Sequence, residues 1–92
     1  MESEQLRIFA AVAKYKSFSE AARKLYISHS TTSRAVSALE KELDVKLMER
    51  DNHVSALTAA GQVMLEEAEK LLKAMDESMK RVKDAAETQE KN

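Results

Sequence analysis

The chain has 92 residues, a net charge of −1, no cysteine, no proline and a single glycine. This length fits one small domain with an appendage, and the lack of cysteine excludes disulfides and cysteine-ligated zinc. No apolar run approaches the roughly 20 residues that span a bilayer, and the acidic first residues do not resemble a secretory signal. We therefore expect a soluble cytoplasmic protein that does not bind a membrane.

The first predicted element is a helix from Glu4 to Tyr15. Leu6 and Phe9 lie on one face of it, whereas Ile8 and Ala11 lie towards the other side. A helix that is apolar on both sides is usually covered on both sides. One side can face the domain core, and we expect Ile8 on the other side to take part in dimerisation.

A second, shorter helix is predicted to end at about Leu25. Its N-cap is either Ser17 or Ser19, because a serine hydroxyl can accept from a free N–H group of the first turn. Small side chains in this helix allow another helix to approach closely. A tight turn at Tyr26 follows.

The third predicted helix begins after an N-cap at Ser28 and reaches about Leu43. Helical periodicity gives it an inward stripe made of Thr32, Ala35, Val36, Leu39 and Leu43. Its other face is unusual, because six of the ten residues from Ser28 to Ser37 are serine or threonine, which are indifferent helix formers. Short hydroxyl side chains suit close approach to phosphates and base edges; the alternative is a capped helix with incidental serines.

The same region lacks acidic residues. No Asp or Glu occurs from Ala21 to Leu39, although Arg23, Lys24 and Arg34 lie there. A polyanion could approach this stretch without repulsion from carboxylates. A chance distribution of charge is the alternative explanation.

A β-hairpin is predicted next, with strands at Leu47–Arg50 and Ala56–Thr58 around a turn at 51–53. Thr58 is then placed to cap a last helix from Ala59 to about Ala86, and we expect the polar tail 87–92 to fray. About 28 residues make a helix roughly 42 Å long, which must project beyond a small domain. Its apolar stripe needs a cover, and a second copy of the chain is the simplest one; the stripe comprises Met64, Ala68, Leu71, Leu72, Met75, Met79, Val82 and Ala86.

The order helix, helix, tight turn, helix, hairpin, long helix matches a winged helix-turn-helix. Its residues resemble the opening of LysR-type transcriptional regulators from residue 1 to about 85. The similarity rests on four stretches: Leu6-Arg7-x-Phe9-x-Ala11-Val12-Ala13; Ser17-Phe18-Ser19-x-Ala21-Ala22-x-x-Leu25; Ser28-x-x-x-x-Ser33-Arg34-x-Val36-x-x-Leu39-Glu40-x-x-Leu43; and Val45-x-Leu47-x-x-Arg50 followed by Leu57-Thr58-x-x-Gly61.

The resemblance implies a mainly α fold, with three helices and a short hairpin wing followed by a long dimerisation helix. It places a DNA-binding domain at 1–58, with the helix-turn-helix at about 18–37 and the wing at about 47–58, and a linker helix at 59–92. The linker helix is expected to pair antiparallel, coiled-coil fashion, with that of a second subunit. The implied DNA-binding residues are Ser17, Ser19, Ser28, His29, Ser30, Thr31, Ser33, Arg34, Ser37, Arg50, Asn52 and His53.

Two arginines stand out in that set. Arg34 is the leading candidate for a base-edge or phosphate contact, because a guanidinium suits guanine and phosphate oxygens. Arg50 has two open interpretations: a contact to the DNA backbone, or an ion pair with a carboxylate that braces the wing.

Several positions depart from the family pattern. His29 stands where glutamine is most frequent, Ser30 replaces a frequent proline, Asp44 a common glycine and Met48 a common phenylalanine. His53 replaces a usual wing arginine, so we expect a weaker wing contribution that is sensitive to pH.

We therefore expect a bacterial transcription regulator that binds double-stranded DNA as a homodimer. We expect it to be a DNA-binding fragment, with any small-molecule effector bound only through a domain outside this sequence. The competing hypothesis is a helical scaffold that dimerises through the long helix and binds no DNA. An enzyme is not expected, because no nucleophile with a base, buried carboxylate pair or phosphate loop is recognisable, and neither a metal site nor a cofactor is expected.

Overall fold

The computed structural model describes residues 1–50 and 55–91. Three helices, α1 (Ser3–Tyr15), α2 (Phe18–Leu25) and α3 (His29–Leu43), precede strands β1 (Met48–Arg50) and β2 (Ser55–Leu57) and the final helix α4 (Ala59–Lys91). The strands pair antiparallel, with Met48 opposite Leu57. This arrangement confirms the predicted winged helix-turn-helix with a long final helix.

The first three helices end in the same way. Lys16, Tyr26 and Asp44 have φ angles of 54°, 58° and 55°, in the left-handed region. After α2, the N–H of Ile27 donates to the carbonyl of Ala22 at 3.0 Å. Such bonds satisfy the last carbonyls of a helix while the chain turns away. Because none of the three residues is glycine, each of these turns costs some conformational strain.

The core lies where α1 packs against α2 and α3. Phe9 and Val12 of α1 and Val36 and Leu39 of α3 are completely buried. Ala21 of α2 is also completely buried, and its small side chain permits α2 to lie close to its neighbours. This three-helix core fixes the orientation of α3, whose other face points outwards.

The second side of α1 is covered by the beginning of α4 from the same chain. Ile8 is 3% exposed, Met64 7% and Ala68 0%, and all three belong to one core cluster. Ile8, Met64 and Ala68, which the sequence analysis places among the dimerisation residues, are therefore buried within their own chain. The physical reason is that the first turns of α4 pack back on α1 before the helix leaves the domain.

Gly61 is the residue that lets α4 begin so close to the hairpin. A Cβ atom at this position would lie 2.0 Å from the carbonyl oxygen of Leu47. That oxygen accepts from the N–H of Thr58 at 3.0 Å, and the Thr58 hydroxyl accepts from the N–H of Gly61 at 3.0 Å. The predicted cap at Thr58 is confirmed, and it joins the hairpin to the start of α4.

Helix α4 continues beyond the predicted end near Ala86, because it runs to Lys91 without a helix-breaking residue. Its 33 residues correspond to about 50 Å at 1.5 Å each. The molecule is accordingly elongated, with principal extents of 59 × 26 × 19 Å. In the described ranges 1–50 and 55–91, no helix combines the length and the apolarity needed to cross a bilayer.

Candidate nucleic-acid interface

Hydrogen bonds from side-chain hydroxyl groups stabilise the first turn of α3. The Ser28 hydroxyl accepts from the N–H of Thr31 at 3.0 Å and donates to the Thr31 hydroxyl at 2.8 Å. The buried Thr32 hydroxyl donates to the carbonyl of Ser28 at 3.0 Å. Part of the unusual hydroxyl content of this helix is therefore structural, because it satisfies the free groups of the first turn.

The remaining polar residues form the outer face of α3. His29, Ser30, Arg34 and Ser37 are exposed, and Ser33 is half-buried. Four of them, without Ser37, line a shallow depression on the surface, and the first turn contains no acidic residue. The positive end of the helix dipole therefore meets solvent without a neighbouring carboxylate in that turn, which is an arrangement that suits an anion.

Arg34 extends along this face. Its Nε donates to the carbonyl of Ser30 at 3.3 Å, one turn earlier on the same helix. This bond holds the base of the guanidinium against α3. The side chain is exposed, so a duplex can reach it.

The N-terminus of α2 supplies a second group of predicted contact residues. The Ser17 hydroxyl accepts from the N–H of Glu20 at 3.1 Å, which makes Ser17 the N-cap, while Ser19 is exposed. Glu20 forms an ion pair with Arg23. The hydrogen bond from Arg23 lowers the pKa of Glu20 below its usual value, and the charge of Arg23 acts in the same direction. The carboxylate nearest this helix start is thus partly neutralised by its own neighbour.

Arg50, at the end of β1, lies between several elements. Its Nη2 donates to the Ser37 hydroxyl at 3.3 Å and is 3.6 Å from Oε1 of Glu40. Its guanidinium carbon lies 4.7 Å from the centre of the Phe18 ring. The carboxylate pairing that the sequence left open is therefore present and joins the hairpin to α3, while the contact with the Phe18 ring joins it to α2.

Sequence reasoning did not single out Glu40 as a functional residue. Its Oε2 accepts from the N–H groups of Leu47 and Met48 at 2.9 and 3.3 Å. The available signal was weak: a glutamate directly beside the core residue Leu39, where a carboxylate is costly unless it is paired. Phe18 was noted only as part of a motif, and its packing against Arg50 was not foreseen.

The predicted wing residues Asn52 and His53 lie outside the described residues. Their proposed contacts to DNA remain sequence-based predictions.

The distal part of α4 carries the remaining predicted dimerisation residues. Leu71 and Met75 are each 40% exposed, Met79 is 50% and Val82 is 70% exposed, whereas Leu72 is half-buried against the core. Apolar side chains at this spacing form one continuous stripe on a helix. Within one chain, this exposed stripe begins at Leu71 rather than at Met64.

Residues 3–62 match the family described as bacterial regulatory helix-turn-helix protein, lysR family. The chain belongs to the LysR family. This assignment confirms the resemblance carried by the sequence motifs and agrees with the helix-turn-helix and hairpin described above.

The LysR-family chain is similar in sequence to several transcriptional regulators. It is 41% identical over 86 residues to the transcriptional regulator TfdT of Cupriavidus pinatubonensis, an alignment that covers 94% of this chain and 38% of TfdT. It spans between 24% and 30% of the length of other curated regulators that it matches.

The protein domains of two solved DNA complexes have the same fold as this chain. The CbnR DNA-binding domain in complex with DNA has a TM-score of 0.91 and 40% identity, and the match covers 94% of this chain and 99% of that one. The complex of the BenM domain with catB site 1 DNA has a TM-score of 0.89 and 37% identity, and the match covers 94% and 96% of the two chains.

Proposed function

We propose that this LysR-family chain binds double-stranded DNA in a sequence-specific manner as a homodimer and regulates transcription. The observation that carries the proposal is the open outer face of α3, where Arg34 is exposed close to Ser30. The two similar domains solved as DNA complexes, CbnR and BenM, support it.

In the proposed complex, the N-terminal half of α3 enters the major groove. Arg34 supplies paired N–H donors, which match the two acceptors of guanine in that groove. The capped starts of α2 and α3, at Ser17 and Ser28, lie where backbone N–H groups can approach phosphates. His29 adds a ring at the edge of the same surface, which gives this face a chemistry different from that of glutamine.

In this proposal, DNA binding and dimerisation are carried out by different parts of the chain. The first part, residues 1–58, carries the DNA contacts, and the helix in 59–92 pairs with a second copy through the stripe Leu71, Met75, Met79 and Val82. These side chains are 40–70% exposed, so a partner helix would remove a large apolar surface from water.

The test is selection from random duplex DNA with the full chain at low salt. We expect enrichment of a site with two related halves, as a two-fold symmetric dimer requires. Binding to the selected duplex should weaken steeply as salt rises, because bound cations are released from the phosphates. A scaffold that only dimerises would enrich no sequence, and that result would refute the proposal.

The proposal includes no catalytic role, because the curated relatives are transcriptional regulators. It places the chain in the cytoplasm, where a bacterial regulator meets its DNA. It requires no cofactor.

A further inference from the structure

Glu40 lies at the junction between α3 and the hairpin, and its carboxylate is held from two directions. The side chain is 12% exposed. Its Oε2 accepts from the consecutive N–H groups of Leu47 and Met48 at 2.9 and 3.3 Å. Because two backbone donors fix one oxygen, the other oxygen, Oε1, has a defined position.

That second oxygen faces Arg50. The distance from Oε1 to Nη2 of Arg50 is 3.6 Å, and the same Nη2 donates to the Ser37 hydroxyl at 3.3 Å. The guanidinium also lies over the Phe18 ring, 4.7 Å from its centre. The guanidinium of Arg50 thus connects the hairpin to the first residue of α2 and to the outer face of α3.

We propose that Glu40 is a positioning residue that holds Arg50 ready to bind a DNA phosphate. The inference rests on the proposed function of DNA binding. An arginine has five N–H donors. Among the residues that the structure describes, both polar contacts of Arg50 use Nη2, which leaves Nε and Nη1 to bind phosphate oxygens in the proposed complex. A side chain ordered in advance loses less conformational entropy when it binds.

A carboxylate beside an arginine can also compete with a DNA phosphate for the guanidinium, and competition would change the DNA affinity in the opposite direction. If Glu40 competed with phosphate for Arg50, removal of its charge would strengthen DNA binding. If Glu40 holds Arg50 in place, removal of its charge weakens binding. The sign of the change therefore decides between positioning and competition.

The experiment compares Glu40→Gln, Arg50→Ala and the double variant, all in the full chain. Glutamine keeps an oxygen that can accept from Leu47 and Met48 but removes the charge that faces Arg50. We expect Arg50→Ala to reduce the slope of log affinity against log salt by about one, as expected for one lost phosphate contact. Glu40→Gln should weaken binding about three- to tenfold when Arg50 is present, and should change nothing further when Arg50 is alanine.

Glu42→Gln is the matched control, because it removes the same charge from the same helix. Glu42 pairs with the amino group of Met1, and its loss should not weaken DNA binding. Thermal unfolding of every variant separates instability from lost contacts. Arg50→Lys gives a second test that leaves Glu40 intact: the charge and the salt slope should persist, but affinity should fall because lysine lacks the guanidinium fork.

Three outcomes would overturn the inference. Glu40→Gln could weaken binding equally with and without Arg50, it could strengthen binding, or Arg50→Ala could leave both affinity and salt slope unchanged. Each of these results is compatible with a wild-type chain that still binds its selected site, so the proposed function would survive. If the wild-type chain enriches no DNA at all, both proposals fail together.

Discussion

Arg34 and Arg50 are both predicted to contact DNA, but their surroundings differ. Arg34 is exposed on the outer face of α3 and bonds through Nε to the carbonyl of Ser30. In the major groove, guanine presents two acceptors, O6 and N7, and the Nη1 and Nη2 groups of Arg34 can donate to both. Arg50 is held by a carboxylate, a hydroxyl and an aromatic ring. We infer that Arg34 specifies sequence and that Arg50 supplies general affinity.

The first prediction concerns Arg34→Ala. We expect a loss of about 1–3 kcal/mol in DNA-binding free energy and a relaxed preference at one base pair of each half-site. Titration against the selected duplex and against single-base variants measures both effects. Lys80→Ala is the control, because it removes one positive charge from an exposed position of α4; equal losses in the two variants would assign Arg34 only a general electrostatic role.

Gly61 provides a second prediction at the same scale. An alanine in a helix interior normally stabilises it relative to glycine, but here the added Cβ would lie 2.0 Å from the Leu47 carbonyl oxygen. We expect Gly61→Ala to lower the free energy of unfolding by about 1–3 kcal/mol, as overpacking does. Denaturant unfolding measures it. The exposed neighbour Gln62, changed to alanine, should be nearly neutral; an unfolding free energy that rises in Gly61→Ala would show that the contact relaxes easily.

The short helices of the domain depend on how their ends are closed. Ser17 and Ser28 cap the starts of α2 and α3 through N–H groups of the first turn. Lys16, Tyr26 and Asp44 close the three helix ends in a left-handed conformation. A helix as short as α2 contributes little stability by itself, so the caps and the packing of its buried face must hold it in place.

The closing turn of α2 gives a prediction at this scale. Tyr26 is 95% exposed, so its ring contributes little packing, while its φ of 58° is unfavourable for a residue with a Cβ. We expect Tyr26→Gly to stabilise the chain by about 1 kcal/mol, observed as a higher thermal midpoint. Tyr26→Ala is the matched control, because it removes the ring but keeps the strain. Equal midpoints for the two variants would argue against a conformational origin.

The molecule as a whole is one helical core from which half of α4 projects. The proximal half of α4 packs against the core of its own chain through Met64 and Ala68. The distal half exposes Leu71, Met75 and Met79. One continuous helix therefore connects the helical core rigidly to the exposed stripe. If a second copy of the chain packs against that stripe, the distance between the two α3 helices is fixed.

Met75→Glu tests that arrangement. A charge at the middle of the stripe should prevent burial in an interface, and we expect a monomer in sedimentation at tens of micromolar. DNA affinity should fall by at least about tenfold, because a single half-site loses the benefit of linked binding. Thr88→Glu adds the same charge away from the stripe and should leave the dimer intact. A monomeric wild-type chain, or a dimeric Met75→Glu variant, would contradict the proposed interface.

Local sequence was sufficient for much of the architecture and part of the interface. The Ser28 cap of α3, the buried part of its inward stripe (Thr32, Val36 and Leu39) and its hydroxyl-rich face with Arg34 each depend on residues within a few positions of each other. The structure selects Ser17 over Ser19 as the cap of α2, and it leaves Leu43, predicted to face inwards, 40% exposed. Helical periodicity and capping act over that same distance. The positions of these elements along the chain could therefore be predicted to within a few residues.

Contacts between distant segments were decided by the tertiary structure. The stripe on α4 has the same periodicity throughout, so nothing local shows that Met64 and Ala68 cover α1 together with Ile8 while Leu71 stays exposed. Glu40 and Arg50 are ten positions apart and belong to different elements, and their pairing depends on how the hairpin packs against α3. Such placements follow from many weak contacts summed over the whole core, whereas the caps and the outer face of α3 follow from the chain's own local geometry.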